Sequence, residues 1–283
     1  MLIPNMNYAN LKNSYLFYHI AKKTEAYLAQ HVLVHKIYRL GIGDVSLPLC
    51  GAVIAALHSA VDDQAKKETF TGYLDECGMP VLREAIAAHY GKRGVSLSPD
   101  EVFISSGASD ELGHILDLFD KSSAALVIEP AYPAYVDANV MEGRRIIHFP
   151  SSEKDNFAPY PDSQIKADIV YLCSPNNPTG AVFTKEKLKA WVDWANACGA
   201  VILFDAAYEA YIRDSALPHS IYEIAGAETC AIEINSLSKM AGFTGVRCGW
   251  TVVPRTLLKD GASLHDMWFR RMATKYNGTS YII

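Results

Sequence analysis

The 283-residue chain is half hydrophobic and one-fifth charged, enough for one large domain with or without a small companion. Its formal net charge of −5 offers nothing to nucleic acid or an anionic membrane, so any anionic ligand must be gathered by local groups. No apolar run nears the ~18 residues of a membrane span, the start lacks the order of a signal peptide, and the six scattered cysteines form no Cys-x-x-Cys pair. A cytoplasmic protein with reduced thiols and no metal site is expected.

In chain order, residues 15–22 read as a short helix, 39–44 as a turn-bound strand and 80–90 as another helix. Five short apolar runs then read as buried strands: 102–105, 124–128, 169–173, 201–204 and 231–234. Between them, residues 110–119 carry Leu112, Ile115, Leu116 and Phe119 at helical spacing. Residues 185–198 form a clearer helix, with Thr184 placed to cap its start and Gly199 to end it. Strand and helix in alternation predict an α/β fold with a mostly parallel sheet covered on both faces. Ligands gather at the carboxyl ends of such strands.

The chemistry-bearing strings fall at those ends. Lys239 stands in Ser236-Leu237-Ser238-Lys239, just past a strand. A lysine there forms an imine with an aldehyde if its neighbours lower its pKa; a surface lysine is the plainer reading. The hydroxyls of Ser236 and Ser238 suit an adjacent phosphate, and Arg247 offers it a fork of donors, or else forms a salt bridge. Gly107-Ala108-Ser109 opens a helix directly after a strand, as an anion cradle or as a simple cap. Asp205 ends an apolar run, where a carboxylate keeps a pyridine nitrogen protonated or merely caps a helix. Tyr208, three residues on, can donate to a ring phenolate oxygen. Asn177 lies in Ser174-Pro175-Asn176-Asn177-Pro178-Thr179-Gly180, whose prolines and glycine present it in one orientation. Tyr132, within Pro130-Ala131-Tyr132-Pro133, suits stacking on a flat ring or packing in a core.

Taken together and in this order, these residues resemble the fold-type-I pyridoxal-phosphate (PLP) enzymes, in particular the aspartate-aminotransferase-like superfamily. A narrower resemblance, to the LL-diaminopimelate aminotransferases of lysine biosynthesis, runs nearly end to end. It rests on Asn13-Ser14-Tyr15-Leu16-Phe17, Arg39-Leu40-Gly41-Ile42-Gly43-Asp44 and Leu82-Arg83-Glu84-Ala85-Ile86. Asp205-Ala206-Ala207-Tyr208, Glu233-Ile234-Asn235-Ser236 and Thr274-Lys275-Tyr276-Asn277-Gly278 complete it.

The resemblance implies an N-terminal arm with part of a small domain over residues 1–45, then a PLP-binding large domain over 46–283. It implies a homodimeric transaminase exchanging the amino group of LL-diaminopimelate or glutamate with tetrahydrodipicolinate or 2-oxoglutarate. Lys239 is then the catalytic lysine that holds the cofactor. Ala108, Ser109, Tyr132, Asn177, Asp205, Tyr208, Ser236, Ser238 and Arg247 are its other contacts within the chain. Tyr73 is expected to reach the phosphate across the dimer interface. Tyr15, Gly43, Tyr132, Asn177 and Asn277 are expected to meet substrate.

The family usually has a lysine where Ser109 stands, and the Gly-Tyr-Leu-Asp-Glu-Cys-Gly loop of residues 72–78 departs from its Gly-Tyr-Gly-Pro-Glu-Gln-Gly-like loop. Relatives also continue past Ile283 into a small C-terminal domain with an arginine that clamps the substrate α-carboxylate, for which no counterpart stands here. The expectation is a truncated chain, with that small domain missing, that binds cofactor but turns over poorly. Rival expectations are an aminotransferase of other specificity, a C–S or β-lyase on the same fold, and an inactive cofactor-binding fragment.

Overall fold

The computed structural model describes residues 2–11, 15–31, 37–38, 41, 43–275 and 278–283. Helices α1 (Leu16–Gln30), α2 (Gly51–Gln64) and α3 (Pro80–Gly91) come first, then strand β1 (Val102–Ser105) and helix α4 (Ala108–His114). Strand β2 (Ala125–Glu129), helix α5 (Pro133–Glu142), β3 (Ile146–Pro150) and β4 (Ile169–Cys173) follow. Helix α6 (Lys185–Cys198), β5 (Val201–Asp205), β6 (Ala231–Ser236), the one-turn helix α7 (Leu237–Met240) and β7 (Gly249–Val252) lead to a small hairpin, β8 (Leu258–Lys259) and β9 (Ala262–Ser263). Helix α8 (Leu264–Thr274) comes last.

The seven main strands form one sheet in the order β1-β7-β6-β5-β4-β2-β3. All pairings are parallel except those of β7, which runs antiparallel to both β1 and β6. Alternate residues of each strand enter different layers, as the two-residue side-chain period requires. Val127, Tyr171, Leu203 and Ile234 face Leu112 of α4 and Trp268 of α8, while Leu126, Val170, Leu172, Ile202 and Phe204 face Leu188, Trp191 and Ala195 of α6. Both faces are therefore dry, which is why these strands read as continuous apolar runs rather than as alternation. Burial of each such leucine or isoleucine contributes about 1.5–3 kcal/mol.

The five predicted strands and the 185–198 helix are present, with Thr184 accepting from the Lys187 amide and Gly199 in the left-handed region. Two strands escape sequence reading. β3 is a half-exposed edge strand that follows two arginines and contains His148, and β7 is four residues long and opens on a glycine. The stretch expected as one helix over 110–119 is α4 continued by a tighter 3₁₀ turn, Ile115–Leu118. The short helix expected over 15–22 runs on to Gln30. The strand expected over 39–44 is not found among its described residues. Gly41, Gly43 and Asp44 lie outside any strand, and the Gly43 carbonyl accepts from the Lys239 amine instead of pairing in a ladder. Neither α1 nor α2 buries a side chain; Leu16, Tyr18, Ile54 and Val61 face solvent. Among the described residues, no helix is long and apolar enough to cross a membrane.

Candidate active site

The carboxyl ends of β1, β4, β5 and β6 and the start of β7 share one edge of the sheet, and a cavity of about 320 Å³ opens there. Tyr15, Gly43, Ala108, Ser109, Tyr132 and Asn177 line it together with Asp205, Tyr208, Ser236, Ser238, Lys239 and Arg247. Residues chosen from scattered strings thus converge on one space.

One end of the cavity is built for an anion. Ser236 caps α7, accepting from the Ser238 amide at 3.0 Å, and its Oγ lies 2.8 Å from Ser238 Oγ. Arg247 Nη1 donates to Ser238 Oγ at 3.3 Å, which aims the guanidinium toward the start of α4. Gly107, with φ +127°, lets the backbone approach it there. A β-carbon at Gly107 would lie 2.5 Å from Arg247 Nη2, closer than any side chain tolerates. Hydroxyls, a guanidinium and backbone amides form the donor set that a phosphate dianion takes.

The other end sets a buried carboxylate among tyrosines. Asp205 is buried at the tip of β5; Tyr135 Oη donates to its Oδ2 at 2.7 Å and the Ala207 amide to its Oδ1 at 3.0 Å. Burial pushes its carboxyl above the usual range, partly offset by those two donors. A basic carboxylate so held can keep a proton on a ring nitrogen facing it. Tyr208 is pushed up to about 12 by burial and then by the nearby Asp205, so it stays a neutral phenol donor. Tyr132 packs edge-on against Tyr135 at 5.6 Å between centroids, and Tyr135 stacks on Tyr171 at 4.8 Å. Burial, and next a hydrogen bond to Tyr132, raises the Tyr15 phenol.

Lys239 Nζ sits between these ends, 5.6 Å from the centroid of the Tyr208 ring. Burial lowers its pKa; Asp44 pulls it back up and Arg247 pushes it down. A lysine tuned this way is more nucleophilic than a surface one.

The family model of class I and II aminotransferases matches residues 35–277. The chain belongs to the class I and II aminotransferases.

Relatives sharpen this. An LL-diaminopimelate aminotransferase of Lachnospira eligens is 49% identical over an alignment covering 99% of this chain and 72% of that protein. One from Parabacteroides distasonis is 48% identical, covering 100% and 72%. Among solved structures, an L,L-diaminopimelate aminotransferase from Chlamydomonas reinhardtii superposes with a TM-score of 0.91 at 38% identity, covering 99% of this chain and 71% of that one.

In this aminotransferase, two expected residues stand apart from the cavity. Tyr73 is fully exposed and lies elsewhere on the surface, beside Gln64 and Tyr281, so it touches nothing in the cavity of its own chain. Asn277 lies outside the described residues. Sequence reading missed Tyr135, Asp44 and Thr244, all of which line the cavity. Tyr135 lies one helical turn after Tyr132, a spacing that could have drawn attention to it. Thr244 carries no such signal. Its hydrogen bond, before any other influence, holds the Asp44 carboxyl low.

Beneath the aminotransferase site, Glu233 of β6 is fully buried, accepting from Tyr90 Oη at 2.5 Å, Ser220 Oγ at 2.6 Å and the Ile221 amide at 3.0 Å. Burial raises it from its ordinary 4.5 to about 7. Between those values the folded chain binds a proton that the unfolded chain lacks, so stability falls as pH rises through the window. Glutamine mimics the protonated acid, its amide donating to Tyr90 Oη while its oxygen keeps Ser220 and Ile221. Glu233→Gln is therefore expected to flatten the loss of stability between about pH 5 and about pH 8, on the order of a few kcal/mol. Urea midpoints across that range check it. A wild-type stability that rises with pH there counts against the assignment.

Proposed function

We propose that the chain is an LL-diaminopimelate:2-oxoglutarate aminotransferase that uses PLP held by Lys239. The observation that carries the substrate is 49% identity over 99% of the chain to a protein of that name. The donor set supports the cofactor: a phosphate end at Gly107, Ser238 and Arg247, a buried carboxylate at Asp205, and a desolvated lysine between them.

When bound, PLP supplies an aldehyde for the donor's amine and an electron-withdrawing ring. The chain's residues do the rest. Lys239 is the covalent anchor and then the general base that moves the proton from the substrate Cα. Asp205 holds the proton on the ring nitrogen, with Tyr135 orienting its Oδ2. Tyr208 and Asn177 would donate to a ring oxygen, and Tyr132 would supply an aromatic face for the ring. Arg247, Ser236, Ser238 and the amides of Ala108 and Ser109 hold the phosphate. Tyr15 and Gly43, at the mouth beside Lys239, are assigned to substrate.

Residues 46–283 are the cofactor-binding large domain, and 1–45 an N-terminal arm with part of a small domain. The exposed Tyr73, with the exposed apolar side chains of α1 and α2, supports a homodimer in which Tyr73 serves the partner's phosphate.

Borohydride reduction after incubation with PLP, followed by peptide mapping, is expected to label Lys239. With a panel of donors and 2-oxoglutarate, LL-diaminopimelate is expected to outpace aspartate, alanine and aromatic amino acids; a much faster aspartate or aromatic reaction would refute the substrate. Gly107→Ala should displace the Arg247 fork and weaken PLP binding about tenfold or more, read by absorbance titration. Unchanged affinity would remove the phosphate from that end.

A further inference from the structure

Glu209 begins the 3₁₀ turn Glu209–Tyr211 directly after Tyr208, and it is 3% exposed although it does not line the cavity. A buried carboxylate is costly unless paired, so its partners carry meaning. Arg93 Nη2 lies 3.0 Å and His219 Nδ1 2.9 Å from its Oε2. His89 Nε2 is 3.3 Å from Oε1 but only 2.9 Å from Arg93 Nη1. The shorter contact makes that nitrogen an acceptor, leaving Arg93 and His219 as the clamp.

What the clamp fixes borders Lys239 on two sides. Tyr208, just before Glu209, lies under the lysine amine at 5.6 Å from ring centroid to Nζ. Tyr211, two residues after Glu209, donates from its Oη to the Lys239 carbonyl at 3.3 Å. Residues close in sequence to both clamping groups also hold β6, which leads into Lys239. Tyr90 of α3, three residues before Arg93, and Ser220 and Ile221, beside His219, grip Glu233. Lysine strand and tyrosine turn therefore share one buried frame.

We propose that Glu209 is a positioning residue for Lys239, acting through the turn that carries Tyr208 and Tyr211; the inference rests on the aminotransferase reading above. The charge that clamps the turn is buried behind the site, and the hydroxyl that reads it out touches the lysine backbone.

The test uses the chain reconstituted with PLP and follows the visible absorbance band, its pH midpoint, and turnover of LL-diaminopimelate. Glu209→Gln keeps the shape and removes the charge. It is expected to bind PLP within about threefold of wild type, move the pH midpoint by about half a unit or more, and lower kcat about tenfold with KM within about twofold. Tyr211→Phe, at a residue 56% exposed, removes one hydroxyl without disturbing the core and should move the midpoint the same way by less. The double variant should go little further than Glu209→Gln, because both act through one turn. A purely structural glutamate would lower the melting temperature and leave the folded protein's midpoint and kcat alone. That result in Glu209→Gln, or in Tyr211→Phe if the first variant fails to fold, overturns the proposal. A wild-type chain that forms no visible band with PLP overturns instead the aminotransferase reading beneath it.

Discussion

With Lys239 replaced by alanine, transamination is expected to fall by three orders of magnitude or more. Two losses combine. The general base that moves the Cα proton is gone, a contribution of about 10²–10⁴-fold by itself. The covalent anchor is gone too, so no amine of the chain would hold the cofactor ready for exchange with the donor's amine. The phosphate donors at Ser238 and Arg247 are untouched, so PLP should still bind. Single-turnover mixing with LL-diaminopimelate measures the loss, and added methylamine should restore part of the proton transfer. A variant within about tenfold of wild type would mean that another base serves the site.

Asp205→Asn is expected to be nearly as damaging while leaving the fold intact. Asparagine keeps an oxygen for the Ala207 amide or Tyr135 hydroxyl but no longer holds a proton on the ring nitrogen. Charge developing at the substrate Cα then has a poorer sink. Removing one such electrostatic contribution raises a barrier by about 3–4 kcal/mol, on the order of 10²–10³ in kcat. Cofactor affinity should change far less, since the phosphate contacts lie at the opposite end of the cavity. Saturation kinetics alongside an absorbance titration separate the two effects. Near-normal kcat would reduce Asp205 to a cap for the turn after β5.

Much of this was legible in the sequence, for a physical reason. β4 and β5 are buried on both faces, so their apolar runs stand out. The residues that end them, such as Asp205, are conspicuous as the first polar groups after such runs. The Lys239 and Asn177 strings announce themselves by serines, prolines and glycine at fixed offsets. What escaped depends on tertiary placement. Tyr135 looks like one more aromatic on a helix until its hydroxyl is found 2.7 Å from Asp205. Glu209 looks like a solvent-facing acid until Arg93 and His219 close over it. β7 has four residues and a leading glycine, and only the strands on either side of it make it a strand. Tyr73 does not reach the cavity around Lys239 in its own chain, so only the resemblance assigns it a role.

The antiparallel β7 also sets a schedule. Its first residue, Gly249, pairs with Ser105 on one side and Ser236 on the other, and so joins the strand before the phosphate loop to the strand before the lysine. A β-carbon on Gly249 would come within 2.8 Å of both the Gly107 Cα and the Asn235 carbonyl, so the seam admits only glycine. While the ribosome is making the chain, β1 emerges long before the strand that will sit beside it. At about 5–20 residues per second, that wait lasts roughly 7 to 30 seconds. Through that interval the edge of β1 is bare and the two halves of the anion site are unconnected. The two halves of the anion site are therefore joined only once residues 249–252 have left the exit tunnel and slipped between their neighbours.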